Sequence, residues 1–364
     1  MYKILITGSL GYLGSVLSKH LTEHGYDCIG CDIGFFKDNL LYPSQDSSFI
    51  LKDARDLSEK DLKGIGVVVH LAGISNDPMG NLDPASVYDP TREYSLEIAR
   101  LCRGLGIRFI FASSCSVYGI GDEERLCEES QTHPQTHYSL NKIQIEKDLA
   151  ELSGSDFSPI ALRFATVFGL SPRIRFDVVI NMLVGMALAD GKVVLNSDGS
   201  AWRPNLHILD ACEAIRRSIQ FNYQEPELLV LNVGADENNL QVIEVAETIC
   251  KLVPGSEIKF LDENPDLDQD GLIRDRKINE GKDRRTYRVS FEKIKQVLPT
   301  FICNWSIEEG IQNMIEGFKS IEFNSLVFKH RGFYRLQHLE NLFEDKLITD
   351  DLKWKTPPFR EGLK

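Results

Sequence analysis

Residues 1–14 read MYKILITGSLGYLG, and the rest of the chain is organised around them. The apolar run Ile4-Leu5-Ile6 stops at Gly8, and glycines recur at Gly11 and Gly14. An amphipathic run follows, with Leu13, Val16, Leu17 and Leu21 toward one side and Lys19, His20 and Glu23 toward the other. This pattern predicts strand, tight turn and helix, with the glycines at the crossover. Gly8 lets the chain leave the strand, Gly11 lets backbone approach a pyrophosphate, and Gly14 lets the helix pack on the sheet. The helix start offers free N–H groups and a partial positive charge to that pyrophosphate. The spacing Gly8-x-x-Gly11-x-x-Gly14 is not the common G-x-G-x-x-G, and its place after an N-terminal strand sets it apart from an ordinary glycine-rich loop.

Outward from this turn, Tyr26 to Asp32 predicts a second strand ending on a carboxylate eighteen positions after Gly14. In a dinucleotide fold that carboxylate bonds the adenosine ribose hydroxyls, so Asp32 favours NAD over NADP, whose 2′-phosphate would meet a like charge. Phe49 to Lys52 is a short strand followed by Asp53-Ala54-Arg55-Asp56 and a weak helix. Val67 to Gly73 reads as a fully buried parallel strand ending in small residues that leave room for a flat cofactor. A helix from Pro84 to Leu105, capped by Gly106, leads to the strand Arg108 to Ser114. A helix from Tyr138 to Leu152 and the strand Pro159 to Val167 complete the series. Strands alternating with helices predict an α/β, doubly wound parallel sheet, with ligands bound outside the carboxyl ends of its strands. Gly8, Asp32, Asp53, Ala72, Ser114 and Thr166 all fall at such ends.

Bulk properties narrow the function. The chain has 364 residues, enough for a large core and one or two domains. With 42% hydrophobic and 26% charged residues, its composition is that of an ordered globular protein. A net charge of −13 argues against nucleic acid or an anionic membrane surface as partner, and no apolar run is long enough to span a bilayer. The start lacks a signal-like segment, and eight cysteines scattered singly suit reduced thiols, so a cytoplasmic location is expected. Cys28 and Cys31 lie three apart in a predicted strand, on opposite faces, with no second pair; no metal is expected.

Beyond Gly169 the pattern loosens. A loop at 169–175 precedes a helix from Phe176 to Ala189 and a short strand from Val193 to Leu195. Arg203 to His207 leads into a helix with Asp210 as its expected N-cap. Leu228 to Val233 is read as one more strand of the main sheet, and Asn239 to Leu252 as a helix. The polar stretch from Asp262 to Arg285 resembles a long loop or lid, and Ser306-Ile307-Glu308-Glu309 is a capping box. The tail from Val327, with alternating aromatic and basic residues and Pro357-Pro358 near its end, suggests a helix packed on the domain or on a second subunit.

Tyr138-Ser139-Leu140-Asn141-Lys142 places a tyrosine and a lysine on one side of a helix. A phenol serves as acid/base only when its pKa falls from about 10 toward neutrality, and a nearby ammonium favours that. Ser114, twenty-four residues earlier at a strand end, can hydrogen-bond the same substrate oxygen. Alone, a Y-x-x-x-K is an exposed helix pair; joined to the glycine turn and Ser114 it is a constellation.

Together Gly8-x-x-Gly11-x-x-Gly14, Ser114 and Tyr138-x-x-x-Lys142 resemble the extended short-chain dehydrogenase/reductase family of nucleotide-sugar epimerases, dehydratases and reductases, over roughly residues 1 to 320. The resemblance implies a Rossmann-type NAD domain at 1–170, with 205–235 returning to it. It also implies a smaller mixed α/β substrate lobe at 171–204 and 236–325, and leaves 326–364 as a tail for packing or oligomer contact. It makes Tyr138 the acid/base, Lys142 the residue that lowers its pKa and holds the nicotinamide ribose, and Ser114 the partner of the reacting oxygen. Cofactor contacts carried over by position are Gly8, Gly11, Tyr12, Leu13, Gly14, Asp32, Ile33, Asp53, Ala54, Leu71, Ala72, Gly73, Ala112 and Phe164, besides Tyr138 and Lys142. Substrate contacts are Ser114, Cys115, Ser116, Thr166, Asn181, Arg203, His207 and Arg285; paired guanidiniums at Arg203 and Arg285 suit a diphosphate inside an acidic protein.

The subtype turns on the residues after Ser114. Family 4,6-dehydratases carry Asp-Glu there, and this chain has Cys115-Ser116. Enzymes that epimerise C3 or C5 place a Cys two residues before the tyrosine of that motif; here Ser116 precedes Tyr118 and Cys115 is one residue off, so it reads as packing. An NAD-dependent nucleoside-diphosphate-sugar 4-epimerase is the leading expectation, followed by a one-way 4-dehydrogenase or ketoreductase. Residues 162–177 resemble a subgroup that includes nucleotide-heptose 4-dehydrogenases. A non-catalytic NAD-binding regulator would have no need of Ser114, Tyr138 and Lys142. Glu93-Tyr94 departs from the family, which often has an Asn in that helix. The resemblance also implies a homodimer through the helices at 84–105 and 138–152.

Overall fold

The computed structural model describes residues 2–44, 48–75, 84–121, 124–261 and 285–356. The opening stretch forms β1 (Lys3–Thr7), the turn and α1 (Tyr12–Glu23). There follow β2 (Cys28–Asp32), β3 (Phe49–Leu51), β4 (Ile65–His70), α2 (Pro84–Leu105), β5 (Arg108–Ser114), α3 (His137–Leu152) and β6 (Ile160–Phe164). The second half adds β7 (Thr166–Phe168), α4 (Val179–Asp190), β8 (Lys192–Leu195), β9 (Trp202–His207), α5 (Ile208–Gln220) and β10 (Leu229–Val233). It closes with β11 (Asn239–Gln241), α6 (Val242–Leu252), β12 (Glu257–Phe260), α7 (Glu292–Val297), α8 (Ile307–Lys319), α9 (Ser325–Phe328) and α10 (Arg335–Glu344).

Seven strands form one parallel sheet in the order β10-β6-β5-β4-β1-β2-β3. Both faces are covered, which is why its central strands are apolar without alternation. Ile4, Ile6, Val67 and Val69 enter the core on one face, Leu5 and Val68 the core on the other. Cys28 and Cys31 divide in the same way. This is the expected Rossmann-type doubly wound α/β fold, with its strand order reversing between β1 and β4, where such sheets bind ligands. Two small sheets, β11-β9-β7 and β12-β8, stand beside it. A second core gathers α4, α6 and α8 around Phe176, which meets the rings of Phe318, Phe323, Phe328, Phe333 and Tyr334.

Several local expectations change. The strand expected over Pro159 to Val167 breaks at Ala165, whose N–H reaches the Val233 carbonyl at the end of β10 at 3.0 Å. Beyond that point the sheet offers no neighbour, and β7 leaves to pair with β9. The helix expected from Phe176 begins at Val179, because Phe176 is spent in the core. Asn239 to Gln241 is a strand antiparallel to β9 before α6 starts. Asp210 does not cap α5; His207 holds that place. The Asp210 carboxylate instead accepts the N–H groups of Asn304 and Trp305 at 2.9 and 3.1 Å, tying α5 to the entry of α8. Ser306 and Glu309 form the expected capping box. Of the stretch read as a lid, residues 262–284 lie outside the described residues, as do Pro357 and Pro358. No helix among the described residues is long and apolar enough to cross a membrane.

The tail folds back on the sheet's carboxyl edge. Leu339, Leu342, Ile348 and Leu352 share a small core with Phe35 and Tyr88. His338 Nε2 lies 2.8 Å from the Phe35 carbonyl oxygen, and Trp354 Nε1 donates to the Ile33 carbonyl at 2.7 Å.

Candidate active site

A cleft of about 560 Å³ runs along the carboxyl ends of the sheet, and most of the residues singled out in the sequence line it. Its floor is the glycine turn. Gly8 holds φ +73°, a conformation that disfavours any side chain, and a Cβ there would stand 2.8 Å from the Ala72 nitrogen. A Cβ on Gly14 would stand 2.1 Å from the Gly8 carbonyl oxygen. Gly11 is the N-cap of α1 and brings no side-chain acceptor, so the first-turn N–H groups are left without a cap beside the cleft. An anion-binding helix start next to backbone that tolerates no Cβ fits a dinucleotide diphosphate.

Asp32 is buried at the end of β2. Its Oδ2 accepts the Leu10 N–H at 2.9 Å and its Oδ1 the Gly34 N–H at 2.7 Å. Burial raises its pKa, against those two N–H groups and the nearby Arg173 and Arg335. The carboxylate therefore braces the glycine turn as well as facing the cleft, a structural duty that its sequence position did not announce. Ile33, Ala54, Leu71, Ala72, Gly73, Ala112 and Phe164 line the same cleft with Gly8, Tyr12 and Leu13. Asp53 lines it too, caps the 3-10 turn through Arg55 N at 2.9 Å, and pairs with the Arg55 guanidinium at 2.6 Å. Tyr12 turns its hydroxyl to the Gly169 carbonyl at 2.8 Å.

Ser114 from β5 and Tyr138 and Lys142 from α3 all line the cleft. Thr136 and Ser139 cap α3 reciprocally and so hold Tyr138 in its first turn. Lys142 Nζ donates to the Ala112 carbonyl at 2.7 Å and stands 4.6 Å from the Phe111 ring centroid and 5.6 Å from that of Tyr138. Burial pulls its pKa down to about 8, opposed by the Glu146 carboxylate one turn on. Glu146 is itself held by Arg163, at 2.6 Å between Nη2 and Oε2, and accepts the Ser113 hydroxyl. Arg163 continues to the Tyr118 hydroxyl at 2.9 Å, which donates to Asn232 Oδ1 at 2.8 Å. This buried network fixes the wall on which Lys142 sits.

Ser116, Thr166, Arg203 and Arg285 line the cleft, and Arg203 Nη1 donates to the Arg285 carbonyl, bringing the two arginines together. Three expected substrate contacts do not reach it. Cys115 is buried, and its thiol faces the Arg163 carbonyl at 3.1 Å on the far side of the backbone. Asn181 is fully buried: its Oδ1 accepts the Gly169 N–H at 3.0 Å and its Nδ2 donates to the Tyr12 hydroxyl and the Arg175 carbonyl. Its amide is consumed in holding the 169–175 loop. His207 stacks on Trp305 at 4.2 Å between ring centroids, while the space above its ring is filled by Gly169 and Gly310. Burial lowers its pKa to about 4 and keeps it neutral.

Sequence reasoning gave no individual role to Arg55, Arg175, Asp177 or Arg335, and noted Tyr94 only as a departure from the family; all of them line the cleft. Arg175 pairs with Asp177 at 2.9 Å, donates to the Ser75 hydroxyl at 2.9 Å and lies in the field of the Tyr138 phenol. A charged pair in the otherwise apolar run from Ile174 to Ile180 was the available signal for it. Among the described residues, His20, His24 and Glu213 are the only group clustered as metal ligands could be, and the Glu213 carboxylate is already engaged by Arg216 and Arg217.

A parallel sheet with a glycine turn at its switch point and a tyrosine–lysine pair on the cleft wall defines an enzyme of the extended short-chain dehydrogenase/reductase type. The chain belongs to the NAD dependent epimerase/dehydratase family, whose model matches residues 4–234. It is 29% identical over 269 residues to the uncharacterized UDP-glucose epimerase YtcB of Bacillus subtilis, covering 68% of this chain and 82% of that one. It is 24% identical to UDP-glucuronic acid decarboxylase 6 of Arabidopsis thaliana, covering 87% and 89%. MoeE5, solved with UDP-glucuronic acid and NAD, superposes with a TM-score of 0.70 at 25% identity over 87% of this chain and 99% of its own. Its relatives thus span epimerases, decarboxylases and dehydratases of nucleotide sugars.

Proposed function

We propose that the chain is a nucleoside-diphosphate-sugar 4-epimerase. What supports this reading is that Ser114, Tyr138 and Lys142 all line the cleft while the Cys115 thiol is buried against the Arg163 carbonyl, which leaves the Tyr138 phenol as the acid/base of the motif. A single phenol suits proton transfer at one hydroxyl and lacks the acid–base pair that dehydration needs. In this reading Tyr138 Oη takes the proton of the sugar C4 hydroxyl and later returns it. Ser114 Oγ orients the same oxygen, and the Lys142 ammonium favours the phenolate. Arg203 and Arg285 hold the sugar's diphosphate by their fork geometry. Bound through the glycine turn, Asp32 and Lys142, NAD supplies a hydride acceptor and donor. The UDP-sugar chemistry of the relatives supports a nucleoside diphosphate as the carrier.

A second reading, a one-way 4-dehydrogenase, is favoured by residues 162–177 and the Arg175–Asp177 pair they bring to the cleft. Incubation with NAD and UDP- or GDP-sugars separates the two: an epimer without net NADH supports the first, accumulating NADH or keto sugar the second. Tyr138→Phe is expected to lose roughly 10²- to 10⁴-fold in turnover. Full activity in that variant overturns both. Pairing of two copies through α2 and α3, and a cytoplasmic setting, belong to the same proposal; sedimentation of the purified chain tests the pairing.

A further inference from the structure

The cofactor cleft has a wall that the glycine fold does not supply. Arg335, Leu339, Asp351 and Leu352 line it, all from the tail. Arg55 on the sheet side donates to the carbonyls of Asp351 and Leu352, each at 2.6 Å. The tail therefore closes over the ends of β2 and β3, on the Asp32 side of the cleft.

Arg335 is the residue this wall presents. It is only 6% exposed, its guanidinium carbon lies 3.9 Å from the Phe36 ring centroid, and its Nη2 donates to the Arg173 carbonyl at 3.2 Å. Among the described residues its Nη1 is buried with no hydrogen-bond partner. Among the described residues, the charges that act most on it are those of Arg175, Asp177, Asp32 and Arg173. Asp177 is taken up by Arg175 and the Arg335 backbone N–H, and Asp32 by two backbone N–H groups. Burial and the neighbouring Arg175 pull the Arg335 pKa down to about 9, against Asp177 and Asp32. A buried guanidinium with an unpartnered N–H, on a residue that lines the cleft, calls for an anion.

We propose that Arg335 is a cation for the diphosphate of the bound dinucleotide, and that the tail is part of the cofactor site. The Asp32 side of the cleft distinguishes this diphosphate from that of the sugar nucleotide, for which Arg203 and Arg285 stand ready. The proposal rests on the family's cofactor and is independent of the sugar chemistry.

Calorimetric titration of the full chain and its Arg335→Gln and Arg335→Lys variants tests it, using NAD, ADP, adenosine and UDP as probes. Arg335→Gln keeps the stem over Phe36 and a donor while removing the charge. Affinity for NAD and ADP is expected to fall roughly 10- to 100-fold in Arg335→Gln and less in Arg335→Lys, with adenosine and UDP within about twofold of wild type. NAD affinity unchanged in a variant that melts like wild type overturns the proposal. So does a loss confined to UDP, or an equal loss for adenosine and ADP. In the unaltered protein, NAD and ADP should slow amide hydrogen exchange across α10 while adenosine does not; no slowing with NAD also overturns it.

Discussion

Replacing Gly14 by alanine tests the reasoning about the turn at its tightest point. The added Cβ would lie 2.1 Å from the Gly8 carbonyl oxygen, about 1.3 Å inside the 3.4 Å at which ordinary contact begins, and 2.8 Å from Ser9 Cα. Both obstacles are backbone, so no side chain can swing aside; α1 must move away from the turn. Overpacking of this kind costs about 1–3 kcal/mol. The same movement displaces the helix start from the floor of the cleft, so NAD affinity is expected to drop more than about tenfold. Gly104 in α2 is the control, since a Cβ there meets nothing within 4 Å. Gly104→Ala should be neutral or stabilising by about 0.5–1 kcal/mol. Urea denaturation and NAD titration of both variants give the comparison. Gly14→Ala as stable as wild type and binding NAD within about twofold would refute the packing argument.

Two further perturbations probe the wall beneath Tyr138. Lys142 has its pKa pulled down to about 8 from 10.5, so between these values the folded state binds fewer protons than the unfolded chain. Its contribution to stability is then lowest at neutral pH and rises with pH across that window by about 3 kcal/mol. The difference in unfolding free energy between wild type and Lys142→Met should move in favour of wild type by that order from pH 7.5 to 10.5; a flat difference contradicts it. Glu146→Gln leaves Arg163, itself 4% exposed, without its carboxylate. Breaking a buried pair in this way costs about 3–5 kcal/mol, read by urea denaturation, and a loss below about 1 kcal/mol would show the pair to be dispensable.

The sheet and the glycine turn were legible because they depend on local pattern: apolar runs buried on both faces, small residues at strand ends, a tyrosine and lysine one turn apart. What stayed hidden depends on partners far away in the chain. Asp210 has the residue type of an N-cap, and only the approach of Asn304 and Trp305 takes its carboxylate away. His207 and Asn181 have the residue types of substrate contacts, but Trp305 and the 169–175 loop consume them. Arg335 could not be read at all. Its environment is assembled from Asp32, Phe36, Arg173 and Asp177, and a basic residue in an aromatic tail carries no local sign of that company.

The tethers of the tail have one more consequence. Arg55 and Trp354, and the close approach of His338, all engage main-chain carbonyls: those of Asp351 and Leu352 on one side, Ile33 and Phe35 on the other. A carbonyl is present whatever the residue, so at Ile33 and Asp351 the tether does not depend on the side chain, whereas Phe35 and Leu352 also pack in the small core. The path of the segment cannot change. Insertion or deletion of a single residue between α10 and Asp351 would put the Asp351 and Leu352 carbonyls out of register with Arg55. Among natural variants of this chain, the spacing from Arg335 to Trp354 should therefore stay constant while the exposed residues between them, outside the core of Leu339, Leu342, Ile348 and Leu352, drift.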